Sequence, residues 1–165
     1  MPEELSGWTH IDARGAARMV NVGDKAVTER GAVAEGWLAA SPDVLARLRR
    51  GETPKGDVIA VARVAGIMAA KRTAEWIPLC HPLPLTAVEV EIAVQADGIA
   101  VAARVRTHAP TGVEMEALTA VSATLLTLYD MLKALDRTME LGPVRLVEKW
   151  GGRSGHFARE RRFRV

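Results

Sequence analysis

Cysteine occurs once, at Cys80, so no disulfide framework can form within the chain and a cysteine-built zinc site is not supported. A lone thiol suits a reducing cytosol, and the expected location is cytoplasmic. The four histidines, at 10, 81, 108 and 156, show no ligand spacing, and no bound metal is expected from them. No Gly-x-Gly-x-x-Gly opens a helix and no Walker-type Gly-Lys-Ser/Thr is present, which removes the common dinucleotide and P-loop sites. No run reaches the roughly 18 uncharged residues of a membrane helix. The acidic start, MPEELSGWTH, lacks the basic and then apolar run of a signal peptide. Aromatics are only 4% of the residues, and the alternating runs VEVEIAV and IAVAARVRT contain none, so the stacking platform of an RNA-binding sheet is missing. Charge of one sign is scarce too. The formal net charge is +2, but residues 151–165 hold five Arg and one Glu, and subtracting them from 22 basic and 20 acidic residues leaves 17 against 19. A body this balanced carries no nucleic-acid stripe.

What remains is a chain of 165 residues, 48% hydrophobic, long enough for one filled core and read as a single domain with flexible ends at 1–18 and 151–165. Its longest pattern spans residues 111–136. Leu118, Val121, Leu125, Leu128, Leu132 and Leu135 recur at spacings of three and four, the stripe of a buried helical face. The other side carries Ala120, Ala123 and Thr127, and no charge occurs from Ala117 to Tyr129. Such a helix is covered on both sides, with Glu114 and Glu116 at its start and Asp130 and Lys133 near its finish.

Around it, residues 17–22 are strand-like and 33–39 read as a strand. Ser41-Pro42-Asp43 predicts a helix start with the hydroxyl as cap, stopped by Gly51. A second helix, rich in small residues, follows Lys55-Gly56-Asp57. Pro78, Pro82 and Pro84 predict an extended loop over residues 73–85. The two alternating runs, joined by Asp97-Gly98, form a hairpin, and residues 138–149 supply a last strand. Strand, helices, strand, strand, helix, strand is the split βαβ order: an α+β, ferredoxin-like antiparallel sheet with helices on one face.

Several residues invite a chemical reading beside an ordinary one. Lys55, just before a helix start, could hold a phosphate or be a solvated neighbour of a cap. Lys71 and Arg72 are ordinary partners for a helix C-terminus. Cys80-His81 sits in a stiff apolar loop, either as a held titratable pair or as core. Asp130 and Lys133 share a helix face and form either a surface ion pair or an acid–base pair. Glu116 stands about 21 Å from Asp130 along the helix, too far for one small ligand within one subunit. Gly151-Gly152-Arg153-Ser154-Gly155 could close over an anion or be a loose tail.

The blocks MVNVGDKAVTERGAVAEG, KGDVIAVARVAGIMAAKRTAEWIPLCHPLPL, TGVEMEALTAVSATLLTLYDMLKALDR and VRLVEKWGGRSG resemble the cyclic pyranopterin monophosphate synthase family, the molybdenum cofactor biosynthesis protein C. The resemblance implies a homohexamer built as a trimer of dimers, with sites at subunit interfaces. It implies conversion of 3',8-cyclo-7,8-dihydro-GTP, supplied by a radical SAM enzyme, to cyclic pyranopterin monophosphate with release of pyrophosphate. No cofactor is required by that reaction, though Mg2+ could accompany the triphosphate. The matching positions imply catalytic roles for Asp130, Lys133 and Lys55. They imply substrate contacts from His81, Cys80, Glu114, Met115, Glu116, Arg30, Lys71, Arg72 and Arg153. Two departures stand out: Ala109-Pro110 replaces a Gly-Lys, and Arg153 replaces a Lys, which keeps the charge for a phosphate but not a titratable ammonium.

Overall fold

The computed structural model describes residues 10–165 apart from residue 13. Five strands, β1 (Thr28–Ala39), β2 (Leu85–Val94), β3 (Gly98–Ala109), β4 (Glu140–Trp150) and β5 (Phe157–Ala158), form one sheet in the order β2-β3-β1-β4-β5, every pair antiparallel. Four helices complete the chain: α1 (Pro42–Arg50), α2 (Val58–Lys71), α3 (Thr73–Trp76) and α4 (Glu114–Leu132). The result is an α+β fold with helices packed on an antiparallel sheet; the order of element types is the one expected as far as β4, and β5 is an addition.

α4 is apolar most of the way round because it is clamped between two layers. On one side Val121 and Leu125 pack where Gly36 of β1 has no side chain. On the other, Gly66 of α2 lets that helix close onto Ala120 and Thr124. A Cβ at either glycine would collide with these groups, so the close approach depends on its absence. The hydroxyls of Ser122, Thr124 and Thr127 donate to the carbonyls of Leu118, Ala120 and Ala123, each at 2.8 Å, and so cost little where water is excluded.

Some boundaries differ from expectation. Residues 111–113 and 133–136 fall outside α4, the first because Pro110 and Gly112 disfavour helix. Residues 73–85 are not extended throughout: α3 forms before the first proline, with the Thr73 hydroxyl 3.0 Å from the Ala70 carbonyl. Residues 17–22 form no strand, only a bridge from Ile11 to Ala17. There the Val20 carbonyl is taken by His81, and Asn21 caps a local turn through Gly23. Ser41 occupies the cap position of α1, yet its hydroxyl bonds none of the first-turn N–H groups. Gly51 does end α1, at φ 71°, with its N–H on the Arg47 and Leu48 carbonyls.

Residues 1–9 lie outside the described residues. The other end expected to be flexible, 151–165, is laid down on the sheet: Phe157 and Ala158 pair with β4, and Phe163 stacks on Trp37 with ring centroids 5.0 Å apart. Among the described residues no helix is long and apolar enough to cross a membrane.

Candidate active site

The first turn of α4 opens onto a continuous depression made of three adjoining cavities. The largest, about 530 Å³, has Arg30, Lys149, Arg153 and Ser154 in its lining together with Lys25, Thr111, Gly112 and Glu114. Lys25, Thr111, Gly112 and Glu114 also wall a second cavity of about 370 Å³ that contains Cys80, His81, Met115 and Glu116. His81, Leu83 and Glu116 in turn border a third, about 310 Å³, which ends at Lys71 and Arg72. Nine of the residues singled out from the sequence therefore line one groove. Lys55, Asp130 and Lys133 are brought together elsewhere, at the far end of α4.

Strand ends and glycines shape the large cavity. Arg30 leaves β1 and donates from Nη2 to the Pro110 carbonyl at 3.2 Å, while its buried Nε has no partner among the described residues. The backbone of Gly151 and Gly152, at φ 86° and 76°, lies directly on the Arg30 side chain, and a Cβ at Gly152 would overlap the guanidinium. Lys149 bridges the groove: its Nζ is 3.4 Å from Glu114 Oε1 and donates to Ser154 Oγ at 2.5 Å. Gly112 in turn leaves room for the Glu114 carboxylate. Backbone glycines, two arginines and two lysines thus surround a space suited to a polyanion.

The middle cavity contains the buried acid. Glu116 is 4% exposed, and its carboxyl is pushed up to about 7, chiefly by burial. A backbone N–H opposes that shift and the neighbouring Glu114 carboxylate adds to it. The Cys80 thiol is raised as well, by burial and then by Glu116. His81 faces the same space. Its Nε2 lies 2.8 Å from the Val20 carbonyl, an acceptor only, so Nε2 carries a proton, and Nδ1 has no hydrogen-bond partner among the described residues.

At the other end Asp130 sits between two ammonium groups, with Lys133 Nζ and Lys55 Nζ each 2.7 Å from one of its oxygens. Lys55 also donates to the Asp130 carbonyl at 2.9 Å. The hydrogen bonds from Lys133 and then Lys55 pull the Asp130 carboxyl down to about 2. All three side chains are roughly half exposed, so this is an open surface rather than a cavity. Among the described residues no group of three or more His, Cys, Asp or Glu side chains converges where a metal ion could be held.

Two groove residues escaped the sequence reading. Lys149 was read only as part of a strand core, although it precedes the Trp-Gly-Gly-Arg turn directly. Lys25 lies in the N-terminal block and borders both larger cavities, where only Arg30 had been noted.

Helices on an antiparallel sheet, with an acid buried beside a cation-lined cleft, give the build of an α+β enzyme. The chain belongs to the MoaC family, whose model matches residues 19–152. A protein of Dinoroseobacter shibae named cyclic pyranopterin monophosphate synthase is 56% identical over 158 residues, spanning 94% of this chain and 100% of that relative. Proteins with the same name from Thermomicrobium roseum and Chloroflexus aurantiacus are 59% and 56% identical, spanning 92% and 98% of this chain and 93% and 100% of the relatives.

Proposed function

We propose that this chain is a lyase of molybdenum cofactor biosynthesis that converts 3',8-cyclo-7,8-dihydro-GTP to cyclic pyranopterin monophosphate and pyrophosphate. The carrying observation is the continuity of the groove: Arg30, Lys149 and Arg153 around the larger cavity, Glu116 and His81 in the next. A triphosphate fits the first and a purine-derived ring the second. In the phosphorus step a substrate hydroxyl attacks the α-phosphorus, a new P–O bond forms, and the bond to the β-phosphate oxygen breaks. The hydroxyl proton passes to a base, and the charge growing on the leaving pyrophosphate is met by Arg30, Lys149 and Arg153. Ring opening and rebuilding need proton transfers, which general acid–base groups supply. Glu116 can give a proton near neutral pH. Lys55 and Lys133 are the second source, and Asp130, ionised between them, orients both ammoniums.

The same reading requires an assembly. Glu116 and Asp130 are about 21 Å apart along α4, so both can touch one ligand only if a second copy brings its Lys55–Asp130–Lys133 surface to this groove. A homohexamer, a trimer of dimers, would do so. Supporting this are exposed apolar side chains on the outer helical surfaces, Val61, Val64 and Met68 of α2 and Leu126 of α4. The test is pyrophosphate and pterin release from the cyclised GTP intermediate, with a sedimentation mass on the same sample. Turnover by a multimer supports the reading. Tight binding without consumption would make the protein a ligand-binding module instead, and turnover by a lone monomer would refute the shared site.

A further inference from the structure

The family match ends at residue 152, but the chain continues across the molecule. After the turn at 151–156 it pairs Phe157 with Lys149 and Ala158 with Glu148, and the Arg159 N–H donates to the Val147 carbonyl at 2.9 Å. It then crosses the sheet on the face away from the helices. This follows from strand alternation: Ala32, Ala34 and Leu38 belong to the helix-side core, so Val33, Glu35 and Trp37 point to the other face. Along that path the Glu160 carbonyl accepts from Arg145 at 2.8 Å, and the Arg162 N–H donates to Glu35 Oε1 at 2.9 Å. Phe163 stacks on Trp37, and the Arg164 carbonyl accepts from the Gln95 amide.

Glu35 is the centre of these contacts. It is 1% exposed, and its Oε1 also accepts from Arg145 Nε at 2.7 Å, while Oε2 has no partner among the described residues. A carboxylate buried in mid-sheet, satisfied on one oxygen by a guanidinium and by the tail's own N–H, has no part in packing the helix layer. Its partners lie at residues 145 and 162. The turn that the tail follows carries Arg153 and Ser154 into the large cavity and rests on Arg30. Within the turn Lys149 holds Ser154 and His156 Nε2 lies 3.0 Å from Glu148 Oε1, both contacts being to β4 side chains that are themselves at the surface; a return strand of two residues adds little to them, and the contacts of the chain beyond it supply the buried anchor.

We infer that residues 157–165 form a strap that sets the 151–154 turn over the anion cleft, with Glu35 and the Trp37–Phe163 stack as its positioning contacts. The inference rests on the anion-binding role proposed for that cleft. Two full-length variants test it, Phe163→Ala and Glu35→Gln, by amide hydrogen exchange at residues 151–156 and by equilibrium dialysis with inorganic tripolyphosphate. Exchange at 151–156 should accelerate at least about tenfold with residues 99–105 and 117–128 unchanged, and tripolyphosphate affinity should fall about five- to tenfold. KM should rise with kcat held, and Phe163→Tyr should restore both protection and affinity. Unchanged exchange at 151–156, or equal acceleration through the core, would overturn the strap. If exchange and tripolyphosphate binding respond as expected while neither wild type nor variant releases pyrophosphate, the catalytic reading falls and the strap stands.

Discussion

At the start of α4 an acid is buried, 4% exposed, with its carboxyl pushed up to about 7; fourteen residues later an acid on the same helix is half exposed and held at about 2. Glu116 has another carboxylate, Glu114, for a neighbour, whereas Asp130 has two ammoniums. Burial without a cation favours the neutral form, and cations in open water favour the ionised one. One helix therefore offers a protonatable acid at one end and a fixed negative charge that orients two lysines at the other. The enclosed end looks complete as a binding groove. The open end is a cluster of charged groups without walls, the surface that the proposed shared site would close with a neighbour.

The contrast can be broken most severely at the open end. Lys55→Ala and Asp130→Asn should each lower kcat by about 10²–10⁴, with the urea midpoint unchanged because the cluster is exposed; steady-state kinetics and equilibrium unfolding on the same preparations check both halves. At the enclosed end the sharper readout is pH. The Glu116 carboxyl moves from 4.5 to about 7 on folding, so between those values the folded state binds more protons than the unfolded one. Its contribution to stability must fall as pH rises through that window and stay level above it. Glu116→Gln removes this dependence, and wild-type stability relative to the variant should drop by about 1–3 kcal/mol from pH 4.5 to 7, measured by urea unfolding across the range. A smaller effect is expected from Gly152→Ala, which puts a methyl group against Arg30 at a left-handed φ. Stability should fall by about 1–2 kcal/mol, and tripolyphosphate binding should weaken while the Lys55–Asp130–Lys133 cluster is untouched.

Much of this was readable from local pattern. The three-and-four spacing of leucines located α4, and the uncharged stretch from Ala117 to Tyr129 announced that both its sides are covered, as Gly36 and Gly66 then explain. Alternation located the β2–β3 hairpin. Long-range partners were not readable. The tail looked loose because its glycines and arginines carry no periodicity, yet its anchor, Glu35, lies 127 residues before Arg162 in the chain. Lys149 was hidden by its strand, since a lysine in an alternating strand reads as solvated until the groove beside it is known. The Ser41 hydroxyl was expected to cap α1 on local grounds, and tertiary placement left that bond unmade. Nor could residue spacing tell that Cys80, His81, Arg30 and Arg153 would share one depression, because one strand and two separate connections bring them there.

The central claim is that the groove of one subunit and the Lys55–Asp130–Lys133 surface of another make one site. Subunit mixing tests it directly. Glu116→Gln and Lys55→Ala proteins, each inactive alone, are combined in equal amounts, dissociated and reassembled, and assayed for pyrophosphate release. If the site is shared, about one site in four receives both intact halves, and activity should return to about a quarter of wild type. If each subunit holds a whole site, every site carries one lesion and the reassembled mixture should stay as inactive as its components.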